Sequence, residues 1–286
     1  MTANNGRTIG RVVALVIPVG VFFSLAACTI DDGPTGLEIS QDQWLDTGGA
    51  CTLPTTATTE QRVQGVLDVA VLGKDYTHYL LYPFVKNLLA PFSGLVGIAG
   101  APVEEKNNIL LKSFHVKLDV ATGAGSGFAW DPGCPGEFDV PLATSEIAPG
   151  GTVAAATEII RPCNAAPLFR YLQAFANNGQ IYPTITVNTT TRAHGTLGSS
   201  GIDSPPFKYP VNVCYGCLQA GYSDATAAQF NFPLIAKCSD LTSNPYNGDP
   251  CNPAQDYPVL CCASAFDDNG DATTIQCPGI PTGSAK

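Results

Sequence analysis

The residues VNVCYGCL at 211–218 place Cys214 and Cys217 in a C-x-x-C at the end of an alternating, strand-like run. Several chemistries use that spacing. Covalent haem attachment requires His after the second Cys, and Leu218 stands there. A zinc site requires a second ligand pair of similar spacing; Cys261 and Cys262 are adjacent, and no His follows His194. A thiol–disulfide redox centre sets the motif between the strand and helix of a βαβ unit. The residues after Cys217 make a poor helix interrupted by Gly221, and no parallel βαβ pattern surrounds them. A structural bridge is the favoured reading, with redox exchange through Cys214 and Cys217 as the alternative.

Other candidate chemistry is sparse. The run Asp267-Asp268-Asn269-Gly270-Asp271 has the composition of a calcium loop, but an EF-hand needs Gly at its sixth position, where Ala272 falls. Asp267, Asn269 and Asp271 remain candidates for an irregular calcium turn, against a plain Asx-rich turn. The three histidines are His78, His115 and His194. His115 and Asp119 share a strand face, about 13 Å apart, too far to touch. No G-x-S-x-G occurs, since GAGSGF at 123–128 has the wrong spacing. No catalytic set assembles, so a hydrolase ranks third among the readings.

The compartment decides what the cysteines do. Arg7 and Arg11 precede the uncharged run 12–27, which is shorter than the ~20 residues of a membrane-spanning helix and holds Pro18 and Gly20. A short apolar core behind positive charge, ending in small residues, reads as a secretory signal. Its end, Leu25-Ala26-Ala27-Cys28, resembles the lipobox of bacterial lipoproteins. The resemblance implies cleavage before Cys28 and attachment of a diacylglycerol, usually with a third, amide-linked chain such as palmitate. Three chains exceed the two hydrophobic signals that stable anchoring needs. It also implies an outer-membrane address over an inner-membrane one, since Thr29, not Asp, follows the cysteine.

The precursor holds 14 Lys and Arg against 24 Asp and Glu. Residues 1–27 take two of the bases and none of the acids, so residues 28–286 carry a net charge of −12. Such a chain repels nucleic acid and anionic headgroups, and nucleic-acid binding is excluded.

Of eleven cysteines, Cys28 is assigned to lipid, leaving Cys51, Cys134, Cys163, Cys214, Cys217, Cys238, Cys251, Cys261, Cys262 and Cys277. An even number in an oxidising compartment implies a disulfide framework. Three of the ten precede residue 200 and seven follow it. Both counts are odd, so full oxidation requires a bridge between the regions. Cys134 with Cys163, and Cys51 reaching into the tail, are the expected pairings. Adjacent Cys261 and Cys262 should take different partners.

Four segments follow from the composition: a signal peptide at 1–27, a Thr/Gly/Pro-rich acidic tether at 28–60, a β domain at 61–215, and a Cys-rich, loop-rich module at 216–286. Within the β domain, 110–120 alternates most clearly, with Phe114, Val116, Leu118 and Val120 to one side. Strands are also expected at 66–71, 78–86, 138–140, 152–160, 181–194 and 207–213, with a Gly/Ser hairpin loop at 195–204. A helix is expected at 165–178, capped by Asn164 and closed by Gly179, as a crossover between the fifth and sixth strands. Seven short strands over about 150 residues make a β-sandwich. The PGGT turn and the final pair of strands resemble immunoglobulin-like or fibronectin-III-like modules, although the Cys…Trp…Cys spacing of antibody domains is absent. The run YLLYPFV at 79–85 is apolar on both faces and holds Pro83, the mark of an edge or bulge. Tyr79, Tyr82 and Phe84 are therefore the candidate partner-binding residues. The sequence points to a lipid-anchored envelope protein with a binding or structural role, towards a protein or glycan. A periplasmic thiol–disulfide oxidoreductase is the alternative.

Overall fold

Short apolar runs punctuated by Gly, Pro and Asx turns form strands along most of the described chain. In order these are β1 (Leu37–Asp42), β2 (Gly65–Asp68), β3 (Tyr79–Leu81), β4 (Pro83–Asn87), β5 (Ile109–Val120), β6 (Glu137–Ile147), β7 (Thr152–Ala154) and β8 (Thr157–Ile160). Then come α1 (Pro162–Asn177), β9 (Thr184–Leu197), β10 (Ser200–Asp203), β11 (Phe207–Cys214) and β12 (Gln219–Ala220). The tail holds β13 (Val259–Leu260), β14 (Cys262–Phe266), β15 (Ala272–Gln276) and β16 (Gly283–Ser284). The computed structural model describes residues 36–45, 51–54, 56–57, 61–71, 77–92, 105–122, 127–180, 183–220, 251–252, 254–257, 259–260, 262–266, 272–276 and 283–284.

The protein is mainly β with a β-sandwich-like arrangement and one helix among the described residues. The larger sheet runs β2-β11-β9-β5-β6, with β10 folded back on β9. The smaller runs β1-β4-β7, and β3 pairs with β8. Leu37, Ile39 and Val85 of the small sheet share one core with Val116, Val187 and Val211 of the large one. Burying each such side chain contributes about 1.5–3 kcal/mol, which is what holds the layers together.

The amphipathic strand expected over 110–120 is β5. Phe114, Val116 and Leu118 are buried, while Lys117 and Asp119 are exposed. A bulge between Leu111 and Ser113 resets the alternation, so that Ile109 and Leu111 face the core on one side of it and Phe114 on the other. One extra residue in a period of two flips the face of every residue beyond it.

Three expectations are corrected. Leu37–Asp42 falls within the expected tether but forms β1, antiparallel to β4. The β4 half of the run YLLYPFV is not an edge, while β3 pairs with β8. The run breaks at Tyr82, and β4 lies between β1 and β7 with both of its edges paired. Pro83 opens β4, a position where a strand tolerates its missing N–H. Tyr79, Tyr82 and Phe84 are 0%, 4% and 0% exposed, because the second apolar face of this run is covered by the chain itself. Finally, α1 begins earlier than expected. Arg161 is its N-cap and Pro162 its first residue, where proline's missing N–H and fixed φ do no harm. Asn164 lies inside the helix and donates to the carbonyls of Cys134 and Pro135. Gly179, with φ +86°, does stand just past the end.

The tail expected as a separate module is partly built into the sandwich. Gln255 bridges to Leu67, and its side chain bonds both backbone groups of Leu80. Asn252 donates to the Tyr82 hydroxyl. Among the described residues, no helix is long and apolar enough to cross a membrane.

Candidate functional site at the ends of β2 and β11

Strand β2 runs parallel to β11, so Asp68 sits beside Cys214 in register. Cys214 ends β11, and the chain turns through Tyr215 and Gly216 to Cys217, which bonds back to it. Gly216 takes φ +84°, a conformation that a Cβ would strain. Asp68 organises this turn. Its Oδ1 accepts from the N–H of Gly216 at 2.8 Å and of Ala70 at 2.9 Å, and its Oδ2 from Leu218 at 2.8 Å. The carboxylate oxygen and the two sulfurs lie within 4.8 Å of one another.

The surroundings of this group are unequal. Asp68 and Cys214 are both 0% exposed, whereas Cys217 is half-buried. Burial pushes the Asp68 carboxyl up to about 6, and only the N–H groups of Gly216, Leu218 and Ala70 pull it back. Among the described residues no charged side chain compensates it. Asp68 with Cys214 and Cys217 is the one cluster of convergent metal-type donors among the described residues. It does not suit a cation as it stands, because the sulfurs are bonded to each other and the carboxylate is occupied by three N–H groups.

The other bridges differ in kind. Cys134–Cys163, the pair expected in the first region, ties a loop to the start of α1 across 29 residues. Arg161 lies over the Phe138 ring at 3.5 Å and bonds the Pro135 carbonyl, holding the same corner. The bridge from Cys51 into the tail is to Cys251, across 200 residues. Cross-linking that much chain is worth about 5 kcal/mol in the chain-entropy view, against under about 2 for a three-residue separation. Cys214–Cys217 is thus the weakest staple of the three. The bridge that crosses between the regions is Cys51–Cys251.

A second buried group fastens the tail. Arg62, 5% exposed, meets Asp42 through Nε and Asp256 through Nη1, both at 2.7 Å. Its guanidinium lies 4.8 Å over Trp44 and 5.6 Å over Tyr82. Asp256 also accepts from the Val66 N–H at 2.7 Å and from the Tyr79 hydroxyl. Since Tyr79 gives its proton to Asp256, Tyr209 donates to Tyr79 across 3.0 Å. Burial, then Asp256, raises the Tyr79 phenol well above its usual value, so it stays a donor. Burial raises Asp42 to about 6 against the pull of Arg62 and of the Tyr82 N–H. Gly65 makes the close packing possible, since a Cβ there would sit 2.0 Å from the Tyr79 hydroxyl. Every charge here has its partner inside the protein, so the group reads as a clamp.

A groove of about 310 Å³ opens between the end of α1 and β9, lined by Tyr171, Phe175, Gln180, Thr184 and Thr186 among others. An aromatic series, Trp130, Phe128, Tyr171 and Phe175, runs beside it with ring centroids 4.9–5.5 Å apart.

His115 lies between Asp139 at 2.9 Å and Glu137 at 3.2 Å on the outer face, and His194 pairs with Asp203. Cys28, Cys238, Cys261, Cys277 and the calcium candidates Asp267, Asn269 and Asp271 lie outside the described residues, while Cys262 begins β14. Sequence reasoning missed Asp68, Arg62 and Asp256. Asp68 left a signal, an acid inside the apolar run VLDVAV. Arg62 and Asp256 left none. No family model matches this chain, and no curated protein resembles it.

Proposed function

We propose that the protein is a lipid-anchored component of a bacterial cell envelope, held at Cys28 to the outer membrane, with a binding role towards a protein or glycan partner. The anchoring half rests on the signal-like run and Leu25-Ala26-Ala27-Cys28. The observation that carries the binding half is the groove beside α1. It joins threonine hydroxyls and the Gln180 amide to a half-exposed aromatic edge, the mixture that suits sugar rings or a polar peptide. The buried charges around Arg62, by contrast, face one another inside the fold.

Two measurements test the two halves separately. Cys28→Ala protein should leave the membrane fraction and lose its lipid label; retention with undiminished label defeats the anchoring. A photo-crosslinker at Phe175 should capture a partner in cells more efficiently than one at Lys117 on the face of β5. Equal capture from the two positions defeats the groove. The second reading, thiol–disulfide exchange at Cys214 and Cys217, is favoured by the buried acid beside that pair.

A further inference from the structure

We propose that Cys214–Cys217 is an exchangeable disulfide that oxidises a protein dithiol, with Cys217 the sulfur attacked, Cys214 the sulfur that leaves, and Asp68 the group that sets the charge tolerated on Cys214. It rests on the second reading above and is independent of the anchor and the groove.

Three observations converge on it. First, a bridge between residues three apart constrains little chain, so stapling explains it less well than it explains the other two. Second, the two sulfurs are unequally reachable. Cys214 is 0% exposed and Cys217 is half-buried, so a thiolate from outside meets Cys217. Third, a buried carboxyl with no counter-charge among the described residues stands within 4.8 Å of both sulfurs, held by the backbone N–H groups of Ala70, Gly216 and Leu218. Both carboxylate oxygens are used by the turn, so an amide would set its NH2 against one of those N–H donors. Besides holding the turn, this carboxyl stands next to the sulfur on which charge would appear.

A substrate thiolate attacks the Cys217 sulfur, forming a mixed disulfide and breaking the Cys214–Cys217 bond. The electron pair stays on Cys214, which takes a proton from the Asp68 carboxyl when that group holds one. The substrate's second thiolate then attacks the substrate sulfur of the mixed disulfide. Cys217 leaves and takes its proton from water. The substrate has lost two electrons and gained a disulfide; the pair at 214 and 217 has become a dithiol.

The pH dependence follows from what faces Asp68. From its own turn comes the Ala70 N–H, from the 215–218 turn the N–H groups of Gly216 and Leu218, and from β11 the Cys214 sulfur. The acid of the tail packed on the same strand, Asp256, is taken by Val66, Tyr79 and Arg62. Above about 6 Asp68 is ionised, and a Cys214 thiolate would share a buried site with a second negative charge. Attack, expressed per attacking thiolate, should therefore slow as pH rises through about 6.

The test uses the purified, fully oxidised protein and dithiothreitol as the probe, with acid quenching and mass-spectrometric mapping of freed cysteines. Cys214 and Cys217 should open at roughly tenfold less dithiol than Cys51–Cys251 or Cys134–Cys163. Opening last, or together with the others, overturns the proposal. With oxidised glutathione, Cys214→Ser should form an adduct at Cys217 about tenfold faster than Cys217→Ser forms one at Cys214. Equal or reversed rates overturn the assignment of the attacked sulfur. The thiolate-normalised opening rate should fall between pH 5 and 7 and become flat in Asp68→Asn. A fall that persists in Asp68→Asn removes Asp68 from the step; should that variant not fold, a flat profile in the unaltered protein does the same.

Discussion

Arg62 shows how much one buried residue can carry. It is the only cation touching Asp42 and Asp256 among the described residues, and its guanidinium is nearly free of water. Replacing it by Met keeps the volume of the stem but leaves two buried carboxylates without their counter-charge. Arg62→Met should therefore lose about 3–5 kcal/mol of unfolding free energy in a denaturant titration. Adding Asp42→Asn to that variant should return part of the loss, because one uncompensated charge is then gone; no recovery would mean that the aromatic contacts to Trp44 and Tyr82 dominate. A gentler change probes the same place. Gly65→Ala pushes a methyl into the Tyr79 hydroxyl and so breaks its bond to Asp256, with an expected loss of about 1–3 kcal/mol. Gly65→Ala at unchanged stability would show that Tyr79 can shift without losing Asp256.

At the scale of elements, the Cys51–Cys251 bridge and the Asp256 contacts hold one tail segment against β2 and β3 from two sides. Removing the bridge with paired Cys51→Ser and Cys251→Ser should cost about 2–5 kcal/mol. It should also speed amide exchange at Asp256, whose N–H bonds the Val66 carbonyl, more than at Val187 in β9. Uniform acceleration would mean that the tail and the sandwich unfold as one unit. The sequence was informative where a local rule governs the element. Alternation identified β5 because Phe114, Val116 and Leu118 follow one another at a period of two. Cysteine parity required a crossing bridge because counting needs no geometry. The split of YLLYPFV between two sheets was not legible, since a strand that changes partners at Tyr82 has the same composition as an unbroken one. Arg62, Tyr79 and Asp256 meet from positions up to 194 residues apart, and nothing in the local pattern of any one of them announces the others.

Across the whole molecule, the buried acids give an unusual response to pH. Ordinary acid lability comes from carboxylates whose folded-state affinity for protons is lowered by partners. Here burial raises Asp42 and Asp68 from 3.8 to about 6, and raises Asp256 as well. Between those values the folded state binds more protons than the unfolded one, so stability falls as pH rises. The contribution of each group is fully present below 3.8 and is lost as pH passes about 6. From pH 7 to pH 5, Asp42 and Asp68 together should add about 2–3 kcal/mol, since each gains a little over 1. For a chain of this size that raises the melting temperature by about 5–10 °C. Scanning calorimetry at pH 5, 6 and 7, with all bridges intact, measures it directly. Asp68→Asn should remove about half of that pair's gain, because Asp42 still takes up a proton on folding. A melting temperature that falls steadily from pH 7 to pH 5 would mean that these carboxyls are ionised throughout, and that their hydrogen bonds outweigh their burial.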